Sequence, residues 1–401
     1  MSELDIDIGR QRRLKGIVKD LHEGSDVKKV KKSFAKLIKD VSPQEIAAME
    51  QSLIADGVPV QQVQQICDVH VQVFQDALGK QKKSKSLPGH PVHTYMLENK
   101  EALKIVRNVK RLLKGNEAKS VIHELEKELK RLGDLELHYS RKENQLFPFL
   151  ESVGFTGPSK VMWGKHDEIR QILKTVRESV SEAAAGENWS ELKARGKTLL
   201  RSIKRMIFME ERILFPTALG KLSDKHWIEI RRGEAEIGYA WIKPGNLWDP
   251  TVLSVGEPEP ESQPKDQLSI PLDVGKLRGD QLNLLLKHLP FDVTFVDEND
   301  QVQYYTDGDE KIFPRSPGII GRDVKNCHPP KSVDIVEKLL TDFRNKEREV
   351  GEFWLNVKDR LVYIRYLPVY DEAGTYRGVI EVSQDVSEII KLEGERRLLD
   401  E

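Results

Sequence analysis

Between residues 91 and 220 apolar positions recur every three or four residues in four long runs, about 91–114, 117–151, 158–185 and 188–220. That spacing predicts four amphipathic helices. Gly115-Asn116, Gly154 to Gly157 and Gly186-Glu187-Asn188 punctuate them, because these residues interrupt helical backbone. A further helix, Ser223 to about Ala235, brings Trp227, Ile228 and Ile230 to the bundle. Upstream, residues 10 to about 84 are also helical in pattern: Arg10 to His22, Asp26 to Asp40, a helix opened by Ser42-Pro43-Gln44-Glu45, and Val60 to Leu78. The Ser42 stretch is a helix start, with serine as cap, proline in the first turn and glutamate three residues after the cap. Past residue 276 the period changes. A helix, Leu277 to His288, precedes two short alternating strands around Asn299-Asp300, then a helix from Ser332 to Asn345, then strands at 351–357, 360–370 and 375–384.

Within the four-helix region two segments are versions of one another: His138-Tyr-Ser-Arg-Lys-Glu-Asn-Gln-Leu-Phe-Pro148 and Met206-Ile-Phe-Met-Glu-Glu-Arg-Ile-Leu-Phe-Pro216. Aligned on Leu-Phe-Pro, each has a carboxylate three residues before the leucine, Glu143 and Glu211, and His138 falls opposite Met206. One helix earlier, each is preceded by a helix that starts with histidine, at His90 and His93 or at His166. An internally duplicated helix pair follows, with histidines and glutamates at matching levels. Residues four apart on a helix share a face, and imidazole with carboxylate suits iron, zinc or manganese.

These repeated E-x-x-L-F-P helices and their leading histidines resemble a hemerythrin HHE module, a four-helix bundle whose members hold non-haem di-iron and bind or sense oxygen or nitric oxide. The resemblance implies His-x-x-x-Glu in each duplicated helix. Here Lys142 stands where the first glutamate belongs, leaving Glu143 displaced by roughly 100° in an ordinary helix, and Met206 replaces the second histidine. The expected metal ligands are His93, His138, His166 and Glu210, with Glu143 and His90 as second choices. A mononuclear or asymmetric iron site is easier to build from them than a symmetric pair. Zinc, or haem with histidine and Met206 as axial ligands, is the alternative cofactor. An inward Lys142 would repel a cation, and His123 lies about four turns from His138 and is expected in solvent.

Residues 10 to about 84 resemble domain of unknown function 438, which precedes hemerythrin-like modules. Cys67 and His70 share a helix face there and are possible additional ligands. The strand and helix order after 276, with Ile320-Gly-Arg-Asp323 and the closing Gly378-Val-Ile-Glu-Val-Ser-Gln-Asp, resembles a PAS domain, a sensory or dimerising module. That implies a five-stranded antiparallel sheet cupping helices. Cys327 and His328, before the long helix, are its candidate ligand residues.

The expected fold is therefore multidomain and mainly α: residues 10–84 a small N-terminal helical domain, 89–240 a hemerythrin-like four-helix bundle, 241–275 a proline-rich linker, 276–390 an α+β PAS-like domain, and 391–401 a C-terminal helical tail. Five prolines between Pro244 and Pro264 mark the linker. With 64 basic and 65 acidic residues the chain is nearly neutral, which gives nucleic acid no electrostatic footprint. Two distant cysteines, no apolar run of membrane-spanning length and no signal-peptide pattern at the start predict a cytoplasmic protein off the membrane. The resulting expectation is an intracellular sensor that binds non-haem iron, responds to oxygen, nitric oxide or redox state, and acts through a homodimer or a separate signalling partner. Iron-centre repair, nitric oxide or peroxide scavenging, and a metal-free assembly scaffold are the alternatives, and no catalytic residue is assigned.

Overall fold

The computed structural model describes residues 51–52, 86–115, 118–184, 188–248, 269–308, 311–357 and 359–395. The expected N-terminal helices with Cys67 and His70, most of the linker, and the tail beyond 395 lie outside the described residues. The chain divides into two compact units, one ending near Leu253 and one beginning near Ser254.

The described part of the first unit is helical. Helix α1 (Pro91–Leu112) and helix α2 (Lys119–Leu132) come first, and α3 (Leu135–Arg141), α4 (Phe147–Ser152), α5 (Gly157–Ala184), α6 (Trp189–Met209), α7 (Phe215–Lys221) and α8 (Asp224–Ile237) follow. The long run expected at 117–151 is thus broken at Gly133, where the guanidinium of Arg177 and the Gly133 N–H both donate to the carbonyls of Leu129 and Lys130. Between α3 and α4, and again between α6 and α7, the helix widens into a single π turn, Lys142–Leu146 and Glu210–Leu214. In each, the phenylalanine N–H reaches back five residues, Phe147 to Lys142 and Phe215 to Glu210. The proline that follows, Pro148 or Pro216, has no N–H to donate, so the ladder skips a register at the same place in both copies.

The core is set by stripes at the spacing expected of packed helices. On α1, Val92, Tyr95, Asn99, Ala102, Val106 and Val109 are buried, and on α6 so are Leu192, Leu199, Ile203 and Met206, with Glu210 next on the same stripe. On α5, Met162, His166, Ile169, Leu173, Val176 and Val180 continue the pattern. Gly196 on α6 lets α1 come close: a Cβ there would lie 2.5 Å from Leu113 Cδ1. Helix α8 starts at the cap Ser223 and buries Trp227 and Ile230.

The second unit is α+β. After a short hairpin of β1 (Ser269–Pro271) and β2 (Lys276–Arg278) comes α9 (Gly279–Lys287). Strands β3 (Asp292–Asp297), β4 (Val302–Tyr305), β5 (Gly351–Val357), β6 (Arg360–Tyr370) and β7 (Tyr376–Asp385) form an antiparallel sheet in the order β4-β3-β7-β6-β5, and α10 (Pro330–Arg344) lies between β4 and β5 in sequence. The hairpin β1-β2 was not expected; the five strands were. Asp300 takes φ 64° at the β3–β4 turn, a conformation that aspartate tolerates. Val296, Val302, Leu340, Phe343 and Val379 form the core of this unit. Of the expected tail helix, the described part holds only one short 3-10 turn, Ile389–Lys391.

Candidate metal centre

Five helical elements each bring a titratable side chain to one level of the bundle. Helix α1 supplies Glu98, α3 supplies His138 and Arg141, the two π turns supply Lys142, Glu143 and Glu210, and α5 supplies His166 and Arg170. All but Arg170 are essentially buried. They connect in a single chain of contacts. Arg141 holds Glu98 through two N–H groups, at 2.8 and 2.6 Å, and the Ala240 N–H donates to the same carboxylate at 2.7 Å. Glu98 faces His138 Nδ1 at 2.7 Å, and His138 Nε2 faces Glu210 Oε2 at 3.2 Å. Asn99 also donates to that oxygen, at 2.8 Å. The Lys142 ammonium contacts the other oxygen of Glu210 and lies 3.0 Å from His166 Nε2. His166 Nδ1 faces Glu143 Oε1 at 2.7 Å, and Arg170 grips Glu143 with two N–H groups at 2.9 Å each before reaching Glu136.

The donor inventory fixes several protons. Lysine can only donate, so His166 Nε2 accepts and Nδ1 carries the hydrogen given to Glu143. Burial first, then Lys142 and Arg170, hold the His166 pKa far below its usual value, in keeping with that neutral ring. Burial alone would raise Glu210, but Lys142 and His138 outweigh it and keep the group ionised. Glu98 is likewise lowered, His138 and Arg141 overcoming burial. Burial lowers Lys142, and Glu210 opposes the shift. Tyr139 stacks on His166 with ring centres 4.1 Å apart and presents its face to Lys142 Nζ at 4.6 Å, a favourable place for a cation.

The π turns explain why the helical-wheel expectation for Glu143 fails. An α-helical continuation from His138 would turn Glu143 away, whereas the widened turn leaves both Lys142 and Glu143 buried, at 0% and 4% exposure. Each then meets His166 from a different side. The other expected ligands are dispersed. His90 caps α1, its Nδ1 accepting from the Val92 N–H at 3.1 Å, and packs against Trp227 and Trp248; burial lowers its pKa to about 4. His93 is half-buried with Nδ1 unpartnered. Met206 is buried beside Ile169 and Met209, in a crevice that also touches Lys165 and Arg205. His123 is exposed, as expected. In the second unit, Cys327 Sγ lies 3.9 Å from the Asp323 carbonyl oxygen, and burial lowers His328, with Glu381, Arg322 and Arg315 near it.

The residues therefore do not fit a resident metal as they stand. Both imidazoles that reach the centre already have both nitrogens engaged, and the His166 lone pair that a metal would take holds the Lys142 ammonium. Charge is also balanced: Glu98 has Arg141, Glu210 has Lys142, and Glu143 has Arg170. A divalent ion added here would be uncompensated positive charge in a buried place, which is heavily penalised. No group of three or more His, Cys, Asp or Glu among the described residues is arranged to hold a metal. Glu98, Arg141 and Arg170 had no place in the sequence-based ligand set. The available signal was the stripe itself, since Glu98-Asn99 interrupts the apolar face of α1 at the level where His138 and Glu210 interrupt theirs.

Three family matches cover most of the chain: residues 14–80 match the "Family of unknown function (DUF438)", residues 90–218 the "Hemerythrin HHE cation binding domain", and residues 282–387 the "PAS domain". Among curated proteins none matches. Similar solved structures include a C-terminal domain from Streptococcus mutans, 37% identical over 32% of this chain and 99% of that one, with a TM-score of 0.31. A PAS domain from Colwellia psychrerythraea is 18% identical over 27% of this chain and 97% of its own, TM-score 0.23. The PAS domain of BvgS from Bordetella pertussis is 19% identical over 28% and 90%, TM-score 0.23. No helix among the described residues is long and apolar enough to cross a membrane. The chain thus joins a DUF438 segment, a hemerythrin HHE cation-binding domain and a PAS domain, in that order.

Proposed function

We propose that the chain is a sensory protein whose HHE bundle works without a resident metal, its central carboxylates being answered by protein cations instead. An HHE domain joined to a PAS domain is the makeup of a sensor-type protein. The observation that carries the metal-free reading is Lys142, whose ammonium contacts both Glu210 and His166. In this reading the bundle is a rigid, charge-locked module, and the signal enters or leaves through the PAS domain and whatever binds the chain. The polar interior of the PAS sheet supports a ligand-responsive role there. Arg315 donates to Glu381 at 2.9 Å, Glu381 also accepts from Ser383, and Asp292 accepts from the Ile312 N–H.

A second reading keeps non-haem iron, with oxygen, nitric oxide or redox state as the signal, or scavenging of nitric oxide or peroxide as an activity. It is favoured by the convergence of His138, His166, Glu143 and Glu210 in a domain whose family binds cations, and it requires Lys142 to leave the centre. Elemental analysis and an absorption spectrum of the full chain, purified without oxygen, separate the two. The metal-free reading expects no stoichiometric iron, zinc or manganese and no oxo-bridged, haem or flavin bands. Stoichiometric metal that disappears on His138→Ala and His166→Ala, but not on His123→Ala, would establish the iron reading instead.

A further inference from the structure

We infer that Lys142 is a built-in cation occupying a ligand cage for a divalent metal, and that removing its amine turns the same side chains into a metal-binding site. This deepens the metal-free reading and rests on it. The argument begins with the two imidazoles. His138 directs Nδ1 to Glu98, and His166 directs Nδ1 to Glu143, at 2.7 Å in both cases. A carboxylate on the far nitrogen is the arrangement that orients histidines which bind metal, because it fixes the ring and leaves Nε2 facing the ion. In both rings Nε2 points to the same contact, the ion pair of Lys142 with Glu210: His166 Nε2 is 3.0 Å from the ammonium, and His138 Nε2 is 3.2 Å from the carboxylate.

The ammonium therefore sits where lone pairs from an imidazole and a carboxylate converge, and Tyr139 covers it with a ring face. These contacts suit a cation, and Lys142 is the one that meets Glu210. Arg141 and Arg170 are committed to Glu98 and Glu143, the carboxylates that orient the rings. With the amine gone, His138, His166 and Glu210 remain as two imidazoles and one carboxylate around a vacated volume. Nitrogen and oxygen donors of that kind take zinc(II), iron(II) or manganese(II). Lys142→Glu would supply a second carboxylate from the same backbone position.

The test uses the full chain as wild type, K142A, K142E and K142E/H166A, each incubated without oxygen with zinc(II) or iron(II) chloride, desalted, and assayed for metal per chain and for thermal midpoint. Wild type should retain no stoichiometric metal, and its midpoint should not move. K142E should retain metal stoichiometrically and melt higher by roughly 4 °C or more when loaded, K142A should show the same shift more weakly, and H166A in the K142E background should abolish retention. Should the variants fold only when refolded from denaturant with zinc(II), that metal dependence also supports the inference. Folded K142E and K142A that hold no metal and gain no stability overturn the inference alone. Metal held by the wild-type chain through His138 and His166 overturns both it and the metal-free reading.

Discussion

Lys142 shows how one residue decides what a familiar pattern means. Its position was visible in the sequence as a departure from His-x-x-x-Glu, and its sign was understood as hostile to a metal. Its partners were not legible, because they come from α5 and the second π turn, more than twenty residues away in one case and more than sixty in the other. A buried charge stripped of its partner is destabilising by about 3–5 kcal/mol. Lys142→Met, which keeps the bulk and removes the charge, should lower the unfolding free energy of the bundle by that amount, measured by denaturant titration. Adding Glu210→Gln should recover a substantial part of the loss, since the stranded carboxylate is then gone too. Equal destabilisation by the single and double variants would mean that Lys142 acts by packing alone. His90 is the counterexample: counted among the second-choice ligands, it stands before Pro91 and caps α1 instead.

At the scale of elements, periodicity carried most of the information. The four long helical runs, the capped helix after Ser223 and all five strands of the PAS sheet follow from spacing and turn residues. The π turns do not, since an extra residue in a turn leaves no periodic trace; only the repeated Phe-Pro, once seen to deprive the ladder of a donor, accounts for them. Yet these turns decide the site, because they bring adjacent residues, Lys142 with Glu143 and Glu210 with Glu211, into the interior together. In the PAS unit, Gly378 has φ 134°, and a Cβ there would stand 2.1 Å from the Val296 carbonyl oxygen on the neighbouring strand. Gly378→Ala should therefore disrupt the pairing of β3 with β7 and lower the PAS transition in a thermal scan, leaving the bundle transition in place. A shift of the bundle transition by the same amount would show that the two units melt as one.

Glu234 lacks the hydrogen bonds that hold Glu98, Glu143 and Glu210 in the bundle interior. It is fully buried on α8, and neither oxygen has a hydrogen-bond partner. Arg141 lies 3.6 Å away and Arg231 3.9 Å. Burial, only partly offset by those two arginines and reinforced by Glu98, raises its pKa to about 7. The folded chain thus holds this proton more tightly than the unfolded one does. The stability from that proton is fully present below pH of about 4.5 and is lost as pH rises through about 7, a change on the order of 3 kcal/mol. Glu234→Gln should flatten that part of the stability profile, gaining on wild type at pH 8 and matching it near pH 4. Parallel profiles for the two proteins would refute the assignment. This group could not be found from the sequence, where Glu234 looks like one more charge in the polar run Arg231-Arg232-Gly233-Glu234.

The duplication that organises the bundle has another consequence. Its two halves are no longer equivalent, since the first supplies the amine of the central contact and the second supplies the acid. A repeat that keeps its symmetry can exchange halves between neighbouring copies, because any half accepts any other. Here two first halves would set amine against amine, and two second halves acid against acid, so the polarity of one contact makes each half complementary only to its opposite.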